Sequence, residues 1–173
     1  MEALEAIMTR RSIRRFADKR PADGEIRTLL EAAMQAPSAR NHQPWYFVVI
    51  DERGVLDAVT DFHPHARMLA HAPLAVLVCG DTEQVDSFGY VVQDCSAAAE
   101  NLLLAAHALD LGAVWLGIYP RAERMAGMKR LLRLPDTIVP LALVALGYPA
   151  ESKEKALRFK PERVFRNVWG RPV

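Results

Sequence analysis

Seven consecutive residues, Arg10-Arg11-Ser12-Ile13-Arg14-Arg15-Phe16, hold four arginines and one hydroxyl. A guanidinium is a planar fork of N–H donors that matches phosphate oxygens, and serine adds a short donor, so the run suits a small dianion. A solvated basic turn has the same composition, and the run by itself does not separate the two readings. A second stretch, Pro37-Ser38-Ala39-Arg40-Asn41-His42-Gln43-Pro44-Trp45, sets Ser38, Asn41 and Gln43 between two prolines. The prolines hold the backbone out of helix and sheet, leaving short donors and acceptors free to read the edge of a polar heterocycle. The plainer alternative is a turn whose Ser and Asn bond their own backbone.

Other chemistries find little support. Gly112 and Gly117 have the spacing of a phosphate loop, but Ile118 and Tyr119 stand where Lys and Ser/Thr are needed, and there is no GxGxxG. A glycine near a strand end marks either a bulge or a close ligand approach. No Gly-x-Ser-x-Gly elbow or His-Glu-x-x-His is present. His63, His65 and His71 lack a Cys or carboxylate to complete a four-ligand spacing, so a polar lid or surface loop is expected there and no metal site.

These residues need a scaffold, and 173 residues suffice for one domain that buries roughly 70% of its unfolded surface. The hydrophobic fraction, 51%, is high for that size and calls for cover, most simply a partner subunit. A net charge of +1 argues against a general nucleic-acid binder or a binder of anionic membranes. The distribution is uneven: residues 1–20 carry six Lys/Arg against three acids, 151–173 seven against three, and the middle nine against fifteen. If the ends meet, their bases converge on one anion. Cys79 and Cys95 lie in apolar sequence, no apolar run reaches membrane-spanning length, and acids stand where a secretory leader has bases. A reducing, cytoplasmic setting is expected.

Along the chain, Ala3, Leu4, Ile7 and Met8 make a short docking helix that delivers the arginines. Asp23 is the expected N-cap of a second helix with a stripe of Ile26, Leu29, Leu30 and Ala33, ended by Pro37. Strands are predicted at 46–50, at 74–79 as a buried run, at 113–118, and at 138–146 with Pro140 at an edge or bulge. Phe88 and Tyr90 lie in a stretch without firm period and could flank a ligand, with ordinary packing the plainer reading. A helix from about 93 to 110 is apolar nearly all round and must be covered on most sides. An amphipathic helix over 121–132 turns Met125, Met128 and Leu132 inward. From 150 the chain is charged and reads as an extended arm anchored by Phe159, Val164, Phe165 and Trp169.

Taken together, Arg-Arg-Ser-Ile-Arg-Arg-Phe and the later Ala-Pro-Ser-Ala-Arg-Asn-His-Gln-Pro-Trp before a strand resemble the nitroreductase family of FMN-dependent oxidoreductases. The resemblance covers nearly the full chain, among the family's shorter forms. It implies an α+β fold: a mostly antiparallel sheet of four to five strands flanked by helices, in an intertwined homodimer with a C-terminal arm over about 150–173. It implies that Arg10, Arg11, Ser12 and Arg14 hold the FMN phosphate and ribityl chain. Pro37, Ser38, Ala39 and Asn41 would reach the same flavin across the dimer interface, and the backbone of Trp115, Leu116 and Gly117 would face its ring. A C-terminal base would complete the phosphate grip, and Arg158 is preferred over Lys160. The implied activity is ping-pong hydride transfer from NADH or NADPH to nitroaromatics, quinones or a similar small acceptor, with the chemistry supplied by the flavin and no catalytic side chain. A flavin enzyme of the same fold with other chemistry, or a non-catalytic phosphate or nucleic-acid module, are the alternatives.

Overall fold

The apolar run around Leu74–Cys79 becomes the middle of the sheet, where both faces are covered. The computed structural model describes residues 1–173 and forms one four-stranded antiparallel sheet. Its strands are β1 (Trp45–Ile50), β2 (Leu74–Asp81), β3 (Gly112–Gly117) and β4 (Ile138–Gly147), in the order β1-β2-β4-β3. Away from a bulge at Leu141, side chains alternate between the two faces of the sheet. Leu77, Leu143, Val114 and Leu116 meet α3 (Arg53–Ala58), the following segment and α5 (Ala122–Leu132) through Leu56, Leu69 and Met128. Leu74, Val76, Val144 and Leu146 meet α2 (Asp23–Met34) and α4 (Phe88–Ala108) through Leu29, Ala33 and Leu102. Burial on both faces is why β2 and β4 read as continuous apolar runs instead of alternating ones.

The structure revises several sequence expectations. α2 begins one residue earlier, with Ala22 at the N-cap position, where its N–H donates to Glu25 at 2.7 Å and Asp23 opens the helix. α4 starts at Phe88, because Val91 and Cys95 of its first turns lie on Gly80. A Cβ at Gly80 would stand 2.3 Å from Val91 Cγ1, so glycine is what lets α4 approach β2. Pro140 sits in the central strand β4, not at an edge. Its missing N–H is accommodated by a bulge: Val78 pairs with Ala142 and Cys79 with Pro140, leaving Leu141 extra. The Leu141 carbonyl then accepts from the N–H groups of both Ile118 and Tyr119, at 3.1 and 3.0 Å, which ends β3 just after Gly117.

In α1 (Ala3–Thr9) only Ala6 is buried; Leu4, Ile7 and Met8 are exposed, so within one chain the predicted stripe docks on nothing. Leu104, Ala105 and Ala108 of α4 are half-buried beside it in a shallow apolar groove. After β4 the chain doubles back along residues 11–17. Beyond Lys155 it is mostly exposed, with Phe165 and Trp169 stacked on each other at 4.8 Å. No helix is long and apolar enough to cross a membrane.

Candidate functional site

The arginine run leaves α1 extended and lies along the outer edge of β3. Ile13 N–H donates to the Ala113 carbonyl at 2.9 Å, giving a parallel bridge between Ser12 and Ala113. From the other side, residues 148–154 hold it: Ala17 N–H donates to the Tyr148 carbonyl at 2.9 Å and Ala150 N–H to the Arg15 carbonyl at 2.8 Å. Arg11 donates to the Glu154 carbonyl. With the backbone fixed, Arg10 and Arg11 line one cleft of about 240 Å³ together with Arg158, Ile7, Met8 and Phe159. The two basic ends of the chain therefore do meet. Arg10 is largely shielded, its side chain 16% exposed and its Nε 3.6 Å from Glu100. Ser12 is bridged to Ala113 of β3 and the exposed Arg14 donates its backbone N–H to Glu151; neither lines that cleft.

The proline-bracketed loop lies elsewhere in the same chain. It forms a short 3-10 turn over Ala39–Asn41, with Arg40, Asn41 and Gln43 at φ of 51°, 58° and 51°. Left-handed φ at non-glycine residues persists only where neighbours impose it. Here Ala39 N–H donates to both carboxylate oxygens of the buried Asp94 at 3.2 Å, and Arg40 pairs with Asp86. Ser38 Oγ accepts from Gln43 N–H at 3.0 Å, the backbone bond of the plainer reading, whereas Asn41 Oδ1 accepts from the Gln43 side chain, Nε2, at 3.0 Å. Those bonds use acceptors and leave the Ser38 hydroxyl proton and the Asn41 amide protons as donors. Pro37, Ser38, Ala39 and Asn41 do not line the cleft of Arg10 and Arg158.

β3 supplies a third part. Because Ala113 turns its carbonyl outward to Ile13, the two-residue alternation of the ladder turns the polar groups of Trp115 and Gly117 to the same outer edge, where the Gly117 carbonyl is already taken within the chain. Leu116 faces β4 with its backbone and the core with its side chain, while Trp115 is half-buried on the α4 side. Nothing lies within 4 Å of where a Gly117 Cβ would be, so the chain leaves that side of the strand open. The Gly117 carbonyl accepts from Arg124 Nη1 at 2.7 Å and bonds His63 Nε2 at 3.1 Å.

His63 corrects the expectation of a polar lid: it is 2% exposed. His65 N–H donates to its Nδ1 at 3.3 Å, so the ring is unprotonated there and Nε2–H donates to Gly117. Burial, then the neighbouring Arg124 charge, holds its pKa below the ordinary 6.5. Neither His63 nor Arg124 carried a sequence signal for this role, since the contact spans 54 residues in one case and in the other comes from an arginine outside the apolar stripe of its helix. No three His, Cys, Asp or Glu side chains come together as a metal site.

The donor set fits a phosphorylated, planar ligand. Arg10, Arg11 and Arg158 suit a dianion, and β3 runs about 13 Å from Ala113, beside Ser12, to Gly117, where the space over the Cα is open. Comparison with known proteins decides the family. A model of the Nitroreductase family matches residues 7–76 and 62–148. The chain belongs to the nitroreductase family. An Archaeoglobus fulgidus relative, provisionally named NADH dehydrogenase/NAD(P)H nitroreductase, is 46% identical over 173 residues, covering 97% of this chain and 99% of its own. A solved Parabacteroides distasonis structure with the same provisional name superposes at a TM-score of 0.93 and 39% identity, covering 96% of this chain and 98% of that one. A provisionally assigned nitroreductase from Desulfovibrio desulfuricans, solved in complex with FMN, matches at 33% identity and a TM-score of 0.84 over 98% of each chain. The fold of this chain is thus the nitroreductase fold, with four of the expected four to five strands and all of them antiparallel.

Proposed function

We propose that the protein is an FMN-dependent oxidoreductase that takes hydride from NADH or NADPH and reduces a small oxidised acceptor such as a nitroaromatic or quinone. The relatives named NAD(P)H nitroreductase and FMN reductase support the reaction class. The observation that carries the site is the cleft of Arg10, Arg11 and Arg158 at the head of an open strand edge. In this reading the arginines and the Ser12 hydroxyl hold the phosphate, Arg14 closes over the ribityl chain, and Trp115 and Gly117 offer backbone to the ring; Leu116, expected with them, has its backbone paired to β4 and its side chain in the core, and drops out of the set. FMN held there by Arg10, Arg11 and Arg158 would supply the two-electron redox chemistry that links a nicotinamide donor to the acceptor in alternate half-reactions. The protein's own part is orientation: His63 and Arg124 fix the Gly117 peptide, and the fold excludes water behind it.

We take residues 1–173 as one flavin-binding domain that works as a homodimer. Leu4 at 76%, Leu157 at 96%, Phe159 at 81% and Trp169 at 90% exposure support that reading, because a lone subunit leaves them in water. A partner would also bring Pro37, Ser38, Ala39 and Asn41 to the flavin, which the chain's own loop does not reach. The buried free thiols of Cys79 and Cys95 favour the cytoplasm. A visible spectrum of the purified protein tests the function: a flavin absorbance that NADH or NADPH bleaches without air is expected, and a colourless protein that does not take up FMN refutes it. Replacing Arg10 and Ser12 together with alanine is expected to release the flavin while the subunits stay associated.

A further inference from the structure

We propose that Glu151 and Lys153 are positioning residues for the phosphate end of the flavin site, an assignment that rests on the FMN reading above. They set the backbone from which the arginines project, and they do not hold the ligand themselves.

An extended segment between α1 and α2 has backbone groups that no helix satisfies, and β3 serves only Ile13 N–H. The N–H groups of Arg14 and Arg15 both go to a single oxygen, Glu151 Oε1, at 2.5 and 3.2 Å. Lys153 Nζ donates to the Ser12 carbonyl at 2.6 Å and lies 3.3 Å from that same Glu151 oxygen. With Arg11 donating to the Glu154 carbonyl, residues 151, 153 and 154 engage residues 14–15, 12 and 11 in antiparallel order, so one charged strap fixes the whole arginine run. Glu151 and Lys153 are shielded, their side chains 19% and 26% exposed. The N–H of Arg14 foremost, and then Lys153, hold the Glu151 carboxyl below its ordinary value of 4.5.

The pairing resolves an electrostatic conflict. A carboxylate next to a dianion site repels the ligand, yet two adjacent N–H donors call for a strong acceptor. Lys153 neutralises that carboxylate on the spot. Guanidinium groups on long side chains grip phosphate well only when the backbone beneath them is already in place, because each ordered rotamer lost on binding weakens affinity. Glu151 and Lys153 do that ordering before the ligand arrives.

The test titrates full-length wild type, Glu151→Ala and Lys153→Ala with FMN and with riboflavin, which lacks the phosphate, following flavin fluorescence. Each variant is expected to weaken FMN about tenfold or more, the loss of one charge-assisted bond in the network. Riboflavin affinity is expected to stay within about twofold of wild type, and the double variant to resemble the singles because the two residues act as one unit. Unchanged FMN affinity in both variants, or equal weakening of FMN and riboflavin, overturns the inference. Should Glu151→Ala fail to fold, Lys153→Ala decides by the same two titrations. A wild-type protein that binds FMN no better than riboflavin, or binds neither, instead refutes the underlying phosphate site.

Discussion

Replacing Gly117 with alanine separates what this residue does for the fold from what it does for the ligand. A Cβ there meets no atom within 4 Å in the chain, and Gly117 is absent from the left-handed region that Gly170 alone among the glycines occupies. For folding, the substitution therefore adds no clash and removes backbone freedom from the unfolded chain, a stabilisation of about 0.4–1 kcal/mol. For binding the sign reverses. If the flavin ring lies against this strand, the added methyl occupies the space of the ring, and overpacking of that kind costs about 1–3 kcal/mol, roughly a 5- to 150-fold loss of FMN affinity. Thermal melting and FMN titration on the same sample read both terms. A variant that melts at or above the wild-type temperature and binds FMN poorly agrees with the argument; one that binds FMN like wild type removes Gly117 from the flavin site.

Gly127→Ala should behave in the opposite way: its Cβ would stand 2.4 Å from the Phe62 ring, so overpacking of about 1–3 kcal/mol outweighs the ~1 kcal/mol gained in helix propensity, and the melting temperature falls. His63 should make stability depend on pH. Its folded pKa lies below 6.5, so the unfolded chain takes up the proton first; stability is full above 6.5 and declines as pH falls from there toward the lower folded value. Denaturant melts at about pH 7.5 and 5.5 should show that decline, and His63→Gln should lose it, since glutamine keeps a donor for Gly117 without titrating.

How much of this was readable in the sequence differs by residue for physical reasons. The β2 run was legible because a strand covered on both faces has no polar positions to interrupt it. Arg10 and Arg11 stood out by the density of guanidinium groups in their run, Arg158 came only from a resemblance, and the structure places the three in one cleft. The start of α4 was not legible, because Phe88, Tyr90, Val91 and Val92 favour strand locally, Gly89 disfavours helix, and the fit of Val91 over Gly80 is a tertiary contact. The stripe of Leu4, Ile7 and Met8 shows which side of α1 is apolar, yet periodicity does not say what covers it. Glu151 and Lys153 gave no sign at all: their partners lie 137 and 141 residues away, and nothing local marks an acid whose acceptor oxygen serves a distant backbone.

Trp169 stands 90% exposed at the tip of the terminal turn, whereas Trp45 is buried and Trp115 half-buried. An indole in water emits at longer wavelength than one in an apolar surrounding, so the intrinsic fluorescence of this chain carries a built-in label on its last residues. If the proposed homodimer covers this tip, its dissociation on dilution can be followed by colour of emission alone, without any dye, as a red component that grows as concentration falls.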